Sequence, residues 1–180
     1  GVPLADVSLF QPDFRSAERA FSVLTQVAGR AGRGELPGQV IIQTFVPHHY
    51  AISFAETHDY RGFFEKEITV RRVLRFPPHF RLVSILGSGR NSARTAELFK
   101  EFARHARNAC FATDGAVTAL GPVPAPIPRI NDEYRWRLLL RGSDHRDLKK
   151  VVARALERFA ETPGKSTIQL TVDVDPQDLM

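Results

Sequence analysis

With 180 residues, a formal net charge of +5 and hydrophobic side chains at 43% of positions, the chain carries enough apolar material for one large or two small cores and reads as globular. The single cysteine, Cys110, excludes an intramolecular disulfide and a cysteine-rich zinc site, no apolar run reaches the roughly twenty residues of a bilayer span, and nothing at the N-terminus reads as a signal peptide, so a soluble protein of a reducing cytoplasm is expected. The basic balance rests mainly on arginine, whose planar fork suits phosphate, which makes nucleic acid the default partner.

In chain order, residues 4–10 (LADVSLF) read as a short strand, and Pro12-Asp13-Phe14 then starts a helix with Asp13 or Ser16 as candidate N-cap. Along that helix Ala17, Ala20, Phe21, Leu24, Val27, Ala28 and Ala31 recur at steps of three and four and predict one buried stripe. The helix is expected to end near Gly34. Gln39 to Phe45 reads as a mostly buried strand and residues 48–58 as a helical segment, so this first part is α/β in texture. A further helix, residues 59–74, carries Phe63, Phe64 and Ile68, and Pro77-Pro78 cannot continue it.

The second part predicts a strand over 81–86, a helix over 92–110, a strand over 116–120, a proline-rich link, a strand over 134–140, a helix over 144–159 and a strand over 167–174. That order is βαββαβ, the ferredoxin-like α+β pattern, in which two helices cover one face of a four-stranded sheet and leave the other free for binding.

Chemistry concentrates in Gln26-Val27-Ala28-Gly29-Arg30-Ala31-Gly32-Arg33. At about 100° per residue, Gln26, Arg30 and Arg33 fall on one narrow helix face opposite the apolar stripe. Glycine in a helix costs about 1 kcal/mol relative to alanine, so Gly29 and Gly32 call for a reason such as close approach by a ligand or a neighbouring lobe. An arginine placed at a γ-phosphate stabilises the charge that develops in phosphoryl transfer, and the spacing of Arg30 and Arg33 fits that role. The competing reading is an arginine-rich helix end that bonds its own carbonyls or binds DNA phosphates.

The stretch from Gln26 to Arg33 resembles motif VI of superfamily 2 helicases. The longer run Pro12 to Arg19, followed by Leu24 to Gly34, resembles the PriA family, also called primosomal protein N′. The likeness continues through Pro37 to Val40, Ile42 to Thr44, Asp59-Tyr60, Phe63, Glu67, Arg71 and Pro77-Pro78. It resumes at Leu120 to Ile127, Tyr134-Arg135-Trp136 and Asp173 to Pro176. This resemblance implies three regions: residues 1–58 as the C-terminal end of a RecA-like second helicase lobe, 59–79 as a connecting helix and linker, and 80–180 as a ferredoxin-like domain that binds DNA and partners. Family members are ATP-dependent 3′-to-5′ DNA helicases of the bacterial cytoplasm and nucleoid; they recognise stalled or abandoned forks and initiate primosome assembly for replication restart. By the same resemblance Arg30 and Arg33 are catalytic, Gln26 and Gly29 join them at the nucleotide, and ATP, Mg2+ and zinc belong to the full-length protein. Implied partners are forked and single-stranded DNA, primosome loading proteins and the tail of single-stranded-DNA-binding protein. The family's contacts to that tail fall where this chain has His145, Arg146 and Lys149.

A P-loop needs a glycine five residues before its Gly-Lys-Ser/Thr, yet Gly164-Lys165-Ser166-Thr167 has Phe159 there and follows a helix. With no Walker B motif and none of the family's zinc cysteines, the chain reads as a fragment that hydrolyses no ATP by itself. The alternative is a non-catalytic DNA- and protein-binding module from a family member that has lost ATP hydrolysis.

In Tyr134 to Arg141, the residues Tyr134, Trp136, Leu138 and Leu140 share one strand face while Arg135, Arg137 and Arg141 share the other. This arginine face, with Arg129 nearby, either tracks DNA phosphates or is a solvated face with cross-strand ion pairs. Asp173 and Asp175 lack a third ligand and read as capping or exposed groups; His48, His49, His58 and His79 match no zinc spacing, and Cys110 reads as a small core residue.

Overall fold

A computed structural model describes residues 5–31 and 39–179. The chain divides into two compact units, Gly1–Leu74 and Arg75–Met180.

The first unit contains α1 (Asp6–Leu9), α2 (Ser16–Ala31), α3 (Tyr50–Glu56) and α4 (Tyr60–Val73). The segment expected as a first strand is instead the short α1. Its buried residues are Asp6 and Leu9, the N-cap Ala5 four positions before Leu9 is also buried as on a helix face, and Val7 and Phe10 are exposed. In place of the second expected strand, only Ile42 forms an isolated bridge, with Ile41 69% and Phe45 85% exposed. A strand needs neighbours for its backbone groups. Here the Phe45 amide is taken by the Asp6 carboxylate (3.2 Å to each oxygen), and the Ala5 amide donates to the Gln43 carbonyl (3.0 Å).

The stripe predicted for α2 is buried at Ala17, Ala20, Phe21 and Leu24, whereas Val27 and Ala28 are half-buried. Asp13 acts just ahead of this helix, accepting the Arg15 amide (2.8 Å) and pairing with Arg19 (3.2 Å). The expected helix end near Gly34 lies outside the described residues. α4 starts at its N-cap Asp59, whose carboxylate accepts the Gly62 amide at 2.8 Å. Read from the sequence as a connector, it adds Phe63 to the first core, stacked on Phe21 at 4.1 Å.

The second unit runs β1 (Arg81–Gly89), α5 (Ser92–Phe111), β2 (Val117–Ile130), β3 (Glu133–Gly142), α6 (His145–Phe159) and β4 (Gln169–Val174), the βαββαβ order expected. Its antiparallel sheet has the order β2-β3-β1-β4. Helix α5 begins where Asn91 accepts the Arg94 amide (2.9 Å), and α6 where Asp144 accepts that of Arg146 (2.6 Å). Both helices lay apolar faces on Val83, Ile85, Leu138 and Leu140, and Phe102 meets Phe159 edge-on at 5.6 Å. Burying one such ring contributes about 2–3 kcal/mol. Gly87 permits the contact with α5, since a Cβ there would collide with the Phe99 ring.

The proline-rich stretch was expected as a link leaving the sheet, but it is the middle of β2. Its prolines, 122, 124, 126 and 128, alternate along a strand at the sheet edge, where missing amide donors leave no ladder partner unsatisfied. Between Leu120 and Val123 the register shifts. Gly121 at φ 99 makes that bulge: a Cβ would sit 2.9 Å from the Arg137 carbonyl oxygen, and the Gly121 carbonyl accepts the Arg107 side chain.

The sheet face opposite the helices is not free, contrary to expectation. Register places Leu82, Ser84, Leu86 and Ser88 of β1 on it, beside Arg141, Leu139, Arg137 and Arg135 of β3. Leu82 and Leu139 there are 0% and 8% exposed. The cover comes from Ala125 of β2, from Phe76 beneath the Arg141 guanidinium (5.5 Å) and from the C-terminal segment, whose Leu179 is only 6% exposed.

Candidate functional site

Two surfaces carry the residues singled out from the sequence. The first is the outer face of α2. Gln26 and Arg30 are both exposed, and at one helical turn apart they share a side. Arg33 and Gly32 lie outside the described residues. Among the described residues, a Cβ at Gly29 would meet nothing within 4 Å, so none of them requires a glycine there. Gly29 itself is exposed, like Arg30 beside it.

Behind that face, the helix is held by a polar network. Glu67 of α4 accepts the Tyr50 hydroxyl (2.6 Å) on one oxygen and Arg71 Nε (2.7 Å) on the other, and Arg71 continues to Glu18 of α2 (2.7 Å). The Arg71 guanidinium also lies 5.3 Å from the Phe14 ring centroid. With Glu67 and Arg71 side chains 9% and 12% exposed, these bonds act in a partly dry setting. Burial opposes the Arg71 charge, but its bonds to Glu18 and Glu67 outweigh that and hold its pKa above the ordinary value. The Tyr50 hydroxyl is raised by burial first and by Glu67 second. Burial lowers His49, whose Nδ1 caps α3 by accepting the Ala51 amide at 3.2 Å. Glu18, Glu67 and Arg71 carry part of the family likeness, and their work here is to fix α2 against α3 and α4. The Glu67–Arg71 spacing of four was a readable signal; Tyr50 gave none.

The second surface is the sheet face of the second unit. Arg135, Arg137 and Arg141 lie together on it, as the alternation of β3 required. Arg129 does not join them: it pairs opposite Tyr134, sharing that residue's face, and is occupied by Asp132 (2.6 Å) and by the Tyr134 ring (5.3 Å). Arg135 reaches the Ile127 carbonyl at 3.5 Å. Arg141 has its pKa lowered, mainly by burial and then by the nearby Arg75. Arg135 and Arg137 line a cavity of about 180 Å³ with Ser84, Leu86, Thr171 and Asp173.

Arg146 and Lys149 are exposed in the first turns of α6. His145 instead joins a corner, 3.3 Å from Asp175, which also pairs with Arg81 (3.6 Å) and accepts the Leu82 amide (3.3 Å). Asp175 is therefore a structural anchor, in line with its expected capping role. Gly164 to Thr167 forms a loop and single 3₁₀ turn (Lys165–Thr167) between α6 and β4, with Lys165 bonded to the Ala160 carbonyl. Cys110 is buried in the second core, which raises its pKa. Among the described residues no group of three or more His, Cys, Asp or Glu side chains is placed to hold a metal ion, and no helix is long and apolar enough to cross a membrane.

Comparison with known proteins gives a consistent picture. Residues 72–177 match the family described as the primosomal protein N C-terminal domain. Among similar relatives, a protein of Bacillus subtilis named replication restart protein PriA is 38% identical over 181 residues, covering 100% of this chain and 22% of that protein. Its namesake in Synechocystis is 42% identical over 176 residues, covering 98% and 20%. The Borreliella burgdorferi namesake is 31% identical over 180 residues, covering 100% and 26%. The chain thus spans between a fifth and about a quarter of the length of these relatives. With more than half of its residues matched by the family, on the sheet and helices described above, the chain belongs to the primosomal protein N C-terminal domain family.

Proposed function

We propose that this chain is the C-terminal part of an ATP-dependent 3′-to-5′ DNA helicase that recognises stalled or abandoned replication forks and initiates primosome assembly for replication restart. The relatives' shared name, replication restart protein PriA, supports the restart role. The observation that carries the motor role is the face of α2: Gln26 and Arg30 exposed side by side, an exposed Gly29 that no described residue packs against, and a network behind that fixes the helix. An exposed guanidinium on a braced helix suits an arginine finger, which has to meet a γ-phosphate held by other parts of the protein. In this reading Arg30 and Arg33 supply charge at that phosphate and Gln26 orients within the same site. The ATP, Mg2+ and zinc sites reside in the remaining length of the protein.

The full-length protein should unwind a forked duplex with 3′-to-5′ polarity when ATP is supplied. Measure strand separation on substrates with opposite tails. DNA binding without unwinding on either substrate would assign the protein to the alternative, a non-catalytic DNA- and protein-binding module.

In the second unit, Arg135, Arg137 and Arg141 are the proposed contacts to single-stranded DNA, with Arg129 adding a contact at the hairpin on the other face. Arg146 and Lys149 are the proposed contacts to the tail of single-stranded-DNA-binding protein. Each phosphate contact releases counterions, so log affinity should fall linearly with log salt, by about 0.7 per contact. Replacing Arg137 with alanine should weaken binding of a labelled oligonucleotide and flatten that slope by about one contact. Anisotropy titrations at several salt concentrations read both quantities, and an unchanged slope would move DNA binding off this face.

A further inference from the structure

We propose that the C-terminal segment from Asp175 to Leu179 is a strap that closes over the arginine face of the sheet and competes with the nucleic-acid backbone for it. The inference rests on the DNA-binding reading above and adds its regulation.

Three observations carry it. The chain turns sharply where β4 ends, at Asp175, whose φ is 51. That corner is pinned on several sides: the Asp175 amide donates to the Leu82 carbonyl (2.8 Å), and its carboxylate meets the Leu82 amide (3.3 Å), Arg81 (3.6 Å) and His145 (3.3 Å). Beyond the corner the segment has no helix or strand of its own, yet Pro176 is buried and Leu179 is 6% exposed. Finally, Asp178 and Leu179 line the same cavity as Arg135 and Arg137, on the face that bears the arginine row.

The chemistry of the strap matches what it covers. Leu179 lies over a face whose floor includes Leu86, and it supplies the apolar anchor. Asp178 brings a carboxylate to a cavity lined by two guanidiniums, where a DNA phosphate would otherwise bring its charge. A backbone phosphate cannot reach Arg137 while Asp178 and Leu179 close over that cavity. The closed strap therefore lowers apparent DNA affinity by the fraction of molecules in which it is open. A short segment with no helix or strand of its own is of the kind that opens locally without unfolding the sheet.

The test uses the 180-residue chain and a labelled oligo-dT, with Trp136 fluorescence verifying that the variants stay folded. Leu179→Ala should tighten binding by about tenfold and Asp178→Asn by a few-fold, and either should steepen the salt slope. Neither variant should gain affinity once Arg135 and Arg137 are both alanine. In the wild-type chain, adding the oligonucleotide should speed release of Leu179 by a carboxypeptidase once Met180 has been removed, because DNA displaces the strap. Equal affinity of wild type, Leu179→Ala and Asp178→Asn would overturn the strap and leave the DNA-binding reading standing. A gain that persists without Arg135 and Arg137, or slower carboxypeptidase release with DNA, would also overturn it. If no variant binds at any salt concentration, the strap and the DNA-binding reading fall together. Binding by Leu179→Ala but not by wild type would support both.

Discussion

Replacing Arg30 with alanine in the full-length protein is expected to lower DNA-stimulated ATP turnover by about a thousandfold or more while leaving DNA affinity within about a factor of two. The reasoning is electrostatic. Arg30 is exposed near the end of α2 and leaves no buried partner unsatisfied among the described residues, so the fold should be indifferent to its removal. On the proposed reading, what is lost is a charge that matters most when the γ-phosphate develops its transition-state charge, where a preorganised donor is worth more than in the ground state. Turnover should therefore fall with little change in the ATP concentration at half-saturation. Arg30→Lys should recover only part of the rate, because an ammonium keeps the charge but lacks the two-pronged geometry. Steady-state ATPase assays with saturating single-stranded DNA, paired with anisotropy titrations, separate the possibilities. A parallel loss of DNA affinity and turnover would make Arg30 a backbone-phosphate contact. Turnover near the wild-type level would remove it from the nucleotide altogether.

Much of the second unit was legible because its signals are local and repeated. Phe99, Phe102, Ala103 and Ala106 on α5, and Leu148, Val151, Ala155 and Phe159 on α6, mark their helix faces by spacing alone. In the structure Asn91 and Asp144 cap the two helix starts. Harder to read were features that depend on partners distant in sequence. Pro122 to Pro128 looked like a link since proline argues against a central strand, and only the sheet order shows that β2 lies at an edge. Arg129 looked like a member of the arginine row because it is close in sequence, but the register shifts of β2 carry it to the other face. The covering of the arginine face had no local signal: nothing in Gln177-Asp178-Leu179 says which surface it will meet. In the first unit, Ile41 and Phe45 have the composition of a buried strand and yet stand exposed, since apolar pattern describes what a segment can pair with and not whether that partner is present.

The Glu67 carboxylate should prove the most sensitive polar group of the first unit, with Glu67→Ala destabilising it by about 3 kcal/mol. The side chain is 9% exposed and serves two partners at once, Tyr50 at 2.6 Å and Arg71 at 2.7 Å. Truncation strands both: the Tyr50 hydroxyl loses its acceptor, and Arg71, 12% exposed, keeps Glu18, which is half in solvent, and the Phe14 ring. Leaving one partner of a buried pair uncompensated costs more than the pair contributes when intact, so each single variant should cost more than the intact pair is worth. Glu67→Ala combined with Arg71→Ala should therefore be less destabilised than the two separate losses added together, by about 1–2 kcal/mol. Glu67→Gln, which can still accept from Tyr50, should lose less than Glu67→Ala. Amide hydrogen exchange across Tyr60–Val73 reads the effect where it arises, and a loss of about 3 kcal/mol corresponds to roughly a hundredfold faster exchange in α4. Because Arg71 ties α4 to Glu18 on α2, the same variant in the full-length protein should also lower ATP turnover, through misplacement of Arg30 and not through any contact of Glu67 with nucleotide. Exchange in α4 that stays within about threefold of wild type would show the network to be a surface arrangement of little weight, and the placement of α2 would then rest on the Phe21–Phe63 stack and its apolar neighbours alone.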